Sequence, residues 1–401
     1  MSEVMAVPKL RFKEFDGDWS QSRIGEIFQV TSGSTPLRSD NRFFENADIA
    51  WVKTTDLNNG LIEKTEEKIS QIALKETSVK ILPKGTVFVA MYGGFNQIGR
   101  TGLLVDEAAC NQALSAIYPN EKIESYFLLT FLNHKVDDWK NFAASSRKDP
   151  NITKSDVLAF PLTYPVKEEQ TKIASFLSTV DEKISQLTQK HALLSQYKQG
   201  MMQKLFSQQV RFKADDKSEF EEWEEKELKD IAEINPKSKK LPESFIYIDL
   251  ESVEKGQLLL QKNIELQDAP SRAQRLLAKG DVLFQMVRPY QQNNYYFNLS
   301  GEYVASTGYA QIRTKLDSKF IYYALHEKTF LDEVMNRCTG TSYPAINSSD
   351  LSSIEILIPC LEEQTKIANV LSAIDQKIEV VSKQIEQAKQ WKKGLLQQMF
   401  I

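Results

Sequence analysis

Cysteine and histidine are scarce in this chain. Among 401 residues there are three of each: Cys110, Cys338 and Cys360, and His134, His191 and His326. An odd, widely spaced set of cysteines excludes a disulfide framework. No histidine stands at ligand spacing from another His or Cys, so no metal site is expected. No apolar run approaches the ~20 residues of a membrane helix. Met1–Leu10 lacks the apolar core of a signal peptide, so a cytoplasmic protein without membrane contact is expected.

Catalytic motifs are missing as well. An adenine methyltransferase needs an Asp/Asn-Pro-Pro-aromatic segment to hold a flipped base. Asp149-Pro150-Asn151-Ile152 and Asn235-Pro236-Lys237-Ser238 both fail at the third and fourth positions. There is no Gly-rich dinucleotide loop after a strand and no P-loop. Neither a carboxylate–Lys nuclease pattern nor a Ser/His/Asp set at motif spacing is present. No catalytic residue is assigned, and any catalyst is expected on another chain.

A basic excess is also lacking. The net charge is −4, distributed as −2 over residues 1–165, +2 over 166–206, −5 over 207–360 and +1 over 361–401. Free-standing DNA binders are usually basic. If this chain grips DNA, local basic patches or a partner must supply much of the phosphate contact.

What the sequence does contain is a repeat. Glu168–Ile184 reads EEQTKIASFLSTVDEKI and Glu362–Ile378 reads EEQTKIANVLSAIDQKI, matching at 12 of 17 positions with an offset of 194. That offset runs without a gap from Pro150/Pro344 to Phe206/Phe400. A fainter echo precedes it. Arg11-Phe12-Lys13 leads to Trp19, as Arg211-Phe212-Lys213 leads to Trp223. Within the intervening segments, Leu82-Pro83-Lys84-Gly85-Thr86-Val87 answers Leu277-Ala278-Lys279-Gly280-Asp281-Val282. Elsewhere those segments have diverged. Duplication, then, kept the connecting elements and let the domains change.

Each repeated segment, Glu168–Phe206 and Glu362–Phe400, lacks Pro and follows one, Pro165 or Pro359. Paired glutamates in the first turn favour the positive end of a helix dipole. Apolar residues recur at steps of four and three. The first stripe is Ile173, Leu177, Val180, Ile184 and Leu187, continuing through Leu194, Met201 and Leu205. The second is Ile367, Leu371, Ile374, Ile378 and Val381, continuing through Ile385, Leu395 and Met399. A stripe this long at a period near 3.5 predicts a coiled-coil seam. Connectivity requires the two helices to pair antiparallel, with pseudo-two-fold repetition. Gly200 and Gly394 cost about 1 kcal/mol of helix stability each. They read equally as points of close approach or as tolerated residues near fraying ends.

Each segment before a helix predicts an α+β domain of short strands. In the first, strands are expected at Ile49–Thr54, Thr86–Met91, Gly102–Val105 and Ala113–Tyr118, with a helix at Ser125–Asn133. In the second, they are expected at Phe245–Asp249, Val282–Val287, Tyr303–Ala305 and Ala310–Arg313, with a helix at Lys319–Lys328. The loops carry groups that hydrogen-bond base edges and phosphates. DNA-contact candidates in the first domain are Ser34, Thr35, Arg38, Lys53, Thr54, Tyr92, Asn96, Gln97 and Arg100. In the second they are Lys237, Lys239, Gln285, Arg288, Tyr290, Gln291, Asn293, Asn294, Tyr295, Thr341 and Tyr343. The run Arg288–Tyr295 is the sharpest signal, because amide pairs, tyrosines and an arginine are compressed into eight residues. A blander reading stays open, a coiled-coil adaptor that joins two proteins without reading DNA.

These residues resemble a known family. The opening Pro8-Lys9-Leu10-Arg11-Phe12…Trp19, the block Pro165…Glu168-Glu169-Gln170…Ile173-Ala174 and its copy at Pro359…Glu362-Glu363-Gln364…Ile367-Ala368 are similar to specificity subunits of type I restriction–modification enzymes. So is the closing Gly394-Leu395-Leu396-Gln397-Gln398-Met399-Phe400, repeated from Gly200-Met201-Met202-Gln203-Lys204-Leu205-Phe206. The resemblance covers essentially the whole chain. It implies two target recognition domains, residues 1–165 and 207–360. Two long helices would follow them, residues 166–206 as the central conserved region and 361–401 as the C-terminal conserved region. It further implies a non-catalytic subunit that reads a bipartite site on double-stranded DNA and joins two methyltransferase (modification) subunits and restriction subunits. The chain itself needs no cofactor; S-adenosylmethionine, ATP and Mg are expected in the partners. Base-contacting residues are not shared between members, so none is carried over.

Overall fold

A computed structural model describes residues 7–94, 96–143, 151–237 and 240–401. Two uninterrupted helices dominate it, Lys167–Phe206 and Leu361–Met399. The chain divides into two compact units. Met1–Thr188 with Lys383–Ile401 forms the first, and Gln189–Ser382 the second. Each long helix therefore begins in one unit and ends in the other.

The first unit holds a five-stranded sheet in the order Val30–Ser32, Leu114–Ile117, Val87–Ala90, Thr101–Leu104, Gly60–Ile62. Its last pair is parallel and the others are antiparallel. A second sheet places Ile49–Val52 between Glu67–Ile69 and Ala109–Cys110. The second unit follows the same plan. One sheet runs Ala232–Ile234, Tyr309–Thr314, Val282–Gln285, Tyr295–Tyr296, and the other Lys262–Glu265, Ser244–Ile248, Tyr303–Ser306, Ala273–Leu276. In each unit a two-stranded ribbon brings the chain entering the domain beside the chain leaving it. These ribbons pair Ser20–Arg23 with Pro161–Tyr164, and Glu224–Glu227 with Glu355–Ile358.

The expected strands form, with local corrections. Ile49–Val52 stops before Thr54 because the Asp56 carboxylate accepts the Lys53 amide at 2.7 Å and turns the chain into a short 3₁₀ segment, Thr54–Asp56. The helix expected at Lys319–Lys328 is two helices, Ser318–Ala324 and Lys328–Arg337. Glu327 makes the break, its carboxylate capping the second helix at Thr329 N (2.6 Å). An apolar period cannot register a cap that interrupts it.

The helical stripe does more than predicted. Ile173, Leu177 and Val180 bury themselves in a core shared with Trp19, Phe127 and Phe131 of the first domain, with Leu395 and Met399 of the other helix, and with Phe400 just after it. Ile367, Leu371 and Ile374 do the same with Trp223, Phe320 and Leu205 in the second unit. Leu187 and Val381 are buried, whereas Ile184 and Ile378 are half-buried. The opening turns of one helix thus lie against the closing turns of the other inside each unit, the antiparallel pairing expected, with the domain as a third layer. Repeat-equivalent ion pairs tie the helices there: Asp181 to Lys392 at 2.5 Å, and Asp375 to Lys198 at 2.6 Å. Tyr126 donates to Asp181 at 2.6 Å and Tyr323 to Asp375 at 2.7 Å.

The Glu-Glu-Gln triplet wires each domain to its helix. Glu169 is fully buried and accepts both Nε and Nη2 of Arg11, at 2.8 and 2.6 Å. Glu363, equally buried, accepts Arg211 at 3.3 and 3.0 Å and the Trp223 indole at 3.1 Å. Hydrogen bonds to these carboxylates hold the guanidinium pKa values above the usual arginine value, so both arginines stay charged. The next residue is a two-way clamp. Gln170 donates to Pro165 O (2.9 Å) and accepts from Glu124 N (2.9 Å) at the start of the domain helix Ser125–His134. Gln364 repeats this with Pro359 O (2.8 Å) and Asp317 N (3.2 Å).

Removing one member of such a pair strands a buried charge. Glu169→Ala and Glu363→Ala should each cost about 3 kcal/mol in urea unfolding followed by tryptophan fluorescence. The exposed neighbour, as Glu168→Ala, should cost less than about 0.5 kcal/mol. Equal small losses would show that the buried pairs contribute no more than surface charges.

Candidate nucleic-acid interface

The strand Val282–Gln285 ends in a loop whose shape is fixed from below. Gln285 is buried, with Nε2 donating to Val287 O (2.8 Å) and Gln291 Oε1 (2.9 Å) and Oε1 accepting from Asn293 N (3.1 Å). Asn294, also buried, accepts from Gln285 N at 2.8 Å. Tyr295 lies in an apolar core cluster with Phe297 and Tyr303. Proposed from sequence as DNA contacts, Gln285, Asn294 and Tyr295 instead build the loop's base. Their amides and ring are spent inside the protein, which sequence alone could not reveal. Below them His326 donates from Nδ1 to Tyr322 O (2.7 Å), leaving Nε2 to face the Asn294 amide at 3.4 Å. Burial holds this imidazole below the usual histidine pKa and hence neutral.

On that base the backbone turns sharply. Arg288 and Gln292 adopt left-handed conformations, φ 53° and 52°, around the short turn Pro289–Gln291. Such angles are unfavourable outside glycine, costing about 1 kcal/mol or more each. Arg288 N bonds Pro344 O at 2.7 Å, and its guanidinium stacks 4.3 Å above the Tyr343 ring. Among the described residues no carboxylate pairs with Arg288. Tyr290 is 51% and Tyr343 63% exposed, and Gln291 and Thr341 face solvent. Asn293 accepts from Lys255 N at 3.0 Å. Arg288, Gln291, Asn293 and Tyr343 border an open cleft of about 730 Å³, together with Glu251, Glu254 and Lys255, which sequence reading missed.

The equivalent loop of the first domain, Met91–Arg100, follows the equivalent strand, Val87–Ala90. Tyr92 is 43% exposed and Asn96 faces solvent, whereas Gln97 and Arg100 are half-buried. Gly99 (φ 76°) sits where a Cβ would lie 2.5 Å from the Trp139 ring, so only glycine fits.

Other candidates gather elsewhere in the first domain. Arg38 lies over Phe44 (4.8 Å) and Trp51 (5.0 Å) and pairs with Glu67 at 2.6 Å. Lys53 reaches the same Glu67 at 2.7 Å and Glu66 at 3.2 Å. Hydrogen bonds from these cations hold both carboxyls below the usual glutamate range. The two cations are therefore neutralised locally, and Thr54 is half-buried beside them. Ser34 contacts Ser78 at 2.8 Å and Thr35 contacts Gln112, on the wall of a separate depression. Gly33 makes that wall possible, since a Cβ there would lie 2.2 Å from the Cys110 carbonyl. Lys237 is exposed after Pro236, and Lys239 lies outside the described residues.

Among the described residues no cluster of His, Cys, Asp or Glu could hold a metal, and no helix is long and apolar enough to cross a membrane. The geometry offers hydrogen-bonding groups and aromatic faces, which suit base edges and stacking.

Comparison with known proteins agrees. The profile of the type I restriction modification DNA specificity domain matches twice, over residues 16–196 and 220–390. The type I restriction enzyme MjaIX specificity subunit of Methanocaldococcus jannaschii is 26% identical, covering 96% of this chain and 94% of its own. The EcoR124I/EcoR124II specificity subunit of Escherichia coli is 24% identical over 45% of each chain. In fold, the S subunit of a type I restriction–modification system from M. genitalium superposes with a TM-score of 0.64 at 17% identity, covering 99% of both chains. A second structure, from work on complex assembly and conformational transition of the type I R-M system, gives 0.55 at 20% identity, covering 95% of this chain and 97% of its own. The chain therefore belongs to the specificity subunits of type I restriction–modification systems, the non-catalytic DNA-recognition component of those enzymes.

Proposed function

We propose that this chain reads a bipartite, asymmetric sequence on double-stranded DNA, one half-site with each domain. The observation that carries this is the placement of unlike loops on like frames. Met91–Arg100 and Met286–Asn294 leave equivalent strands, and each presents an exposed tyrosine, Tyr92 or Tyr290, among side-chain amides. Arg288, without a carboxylate partner among the described residues and pre-oriented by Tyr343, is suited to bidentate pairing with guanine. The long helices then set the spacer.

Specificity subunits work with methyltransferase and restriction subunits. Two copies of the methyltransferase subunit fit this chain best. Tyr197 and Trp391 occupy the same position of the repeat and are 56% and 54% exposed, so one kind of partner can use the same anchor twice. Methyl transfer would draw on S-adenosylmethionine, and restriction on ATP and Mg, in those partners. Their basic surfaces would offset the net charge of −4 on this chain.

Three outcomes follow. Exchanging residues 1–160 for those of another family member should alter one half of the methylated sequence, mapped genome-wide, and leave the other; a change in both halves would end the modular reading. Arg288→Ala with Gln291→Ala should weaken binding to the specific duplex roughly tenfold or more while random duplex is little affected. Equal losses would make these residues phosphate contacts. Tyr197→Ala and Trp391→Ala should each reduce the methyltransferase subunits bound per chain from two to one, measured by native mass spectrometry; retention of both in the double variant would place the anchors elsewhere.

A further inference from the structure

Lys80 and Arg275 occupy one position in the two domains. Ser78-Val79-Lys80-Ile81-Leu82-Pro83-Lys84-Gly85 aligns without gaps with Ala273-Gln274-Arg275-Leu276-Leu277-Ala278-Lys279-Gly280. Gly85 and Gly280, at φ 86° and 94°, make the same turn into the strands that carry the two reading loops. The segments that carry the two cations also lie near the exit of a first sheet strand, Val30–Ser32 in one domain and Ala232–Ile234 in the other. There Gly33 N donates to Leu114 O (3.4 Å), and Asn235 N donates to Gln311 O (2.7 Å). Gln311 in turn donates its side-chain amide to the carbonyl of Leu276, next to Arg275, at 2.9 Å.

Neither cation has a counter-charge among the described residues. Lys80 is exposed and borders a depression of about 470 Å³ walled by Ser34, Thr35, Ser78 and Gln112, with no acidic residue in its lining. Arg275 is half-buried, and its Nε is shielded from solvent without a hydrogen-bond partner. Desolvation lowers its guanidinium pKa, the opposite of the acid-paired Arg11 and Arg211. A cation kept partly dry and unpaired is unfavourable until an anion reaches it. Arg38 and Lys53, by contrast, are already satisfied by Glu66 and Glu67.

What the two domains share must suit what all DNA shares. Their reading loops differ in sequence and shape, as base readers should, but this cation is present in both. The component common to every duplex is the phosphate backbone. We propose that Lys80 and Arg275 are phosphate-anchoring residues, one per domain, that fix each domain's register on the duplex while the loops read bases. This rests on the DNA-reading function proposed above.

The test uses the chain co-expressed with its methyltransferase subunits. Binding is measured across a salt series on a duplex carrying the mapped methylation site and on a scrambled duplex. Lys80→Ala and Arg275→Ala should each weaken both duplexes by the same factor and lower the salt-dependence slope by about 0.9. The methylated sequence should stay as in the parent. Lys80→Arg and Arg275→Lys should restore the slope, which a merely structural defect would not permit. An unchanged slope, a loss confined to the specific duplex, or an altered methylated sequence would overturn the assignment. A parent complex that favours neither duplex would overturn the DNA reading itself, and the anchors with it.

Discussion

A carboxylate buried at the start of each long helix must be neutralised, and the fold is arranged so that it is. Glu169 and Glu363 sit in the second position of their helices' repeated triplet, fully buried, where an unpaired charge would be intolerable. Among the described residues, the arginine that precedes each domain, Arg11 or Arg211, meets them with paired hydrogen bonds. The segment preceding each domain is thereby pinned to the helix that follows it. With entry and exit held together, and paired as a two-stranded ribbon, the loops that do not touch the helices can vary without disturbing the frame.

That separation explains how one chain can be conservative and variable at once. The Glu-Glu-Gln clamps and the Asp–Lys ties repeat, and the opening stretches of the helices match at 12 of 17 positions. The loops above the sheets do not, and their cost is met locally. The left-handed Arg288 and Gln292 are supported by buried amides within the same domain, so a new loop needs a new base but no new frame. The charges follow the same division. Arg11, Arg211, Lys198 and Lys392 on the frame are each paired with an acid, whereas Arg288 has no acid partner among the described residues.

The frame was legible in sequence because it repeats. Spacing of Ile173, Leu177 and Val180 announced a helix with one apolar face, and the offset of 194 announced its copy. What spacing could not say is how many partners one apolar face serves; those residues touch a domain and another helix together. The loops were legible only as composition. Gln285, Asn294 and Tyr295 look identical to Gln291, Asn293 and Tyr290 in a sequence, since residue type does not reveal which member of an alternating pair faces inward. Glu327 was missed for a related reason: a cap is a geometric role that any carboxylate can fill. Lys80 and Arg275 were within reach, flanking a motif already aligned, but a single cation in an acidic chain carries no pattern of its own.

The tyrosines that bind Asp181 and Asp375 come from non-equivalent places. Counted from the capped starts at Glu124 and Asp317, Tyr126 is the second residue of its helix and Tyr323 the sixth, about one turn apart. The helix thus fixes where a hydroxyl must arrive, not which residue must bring it. This is a tolerance built into the socket. At this point of contact a domain supplies its tyrosine within about a turn of the right height rather than at one fixed helical position.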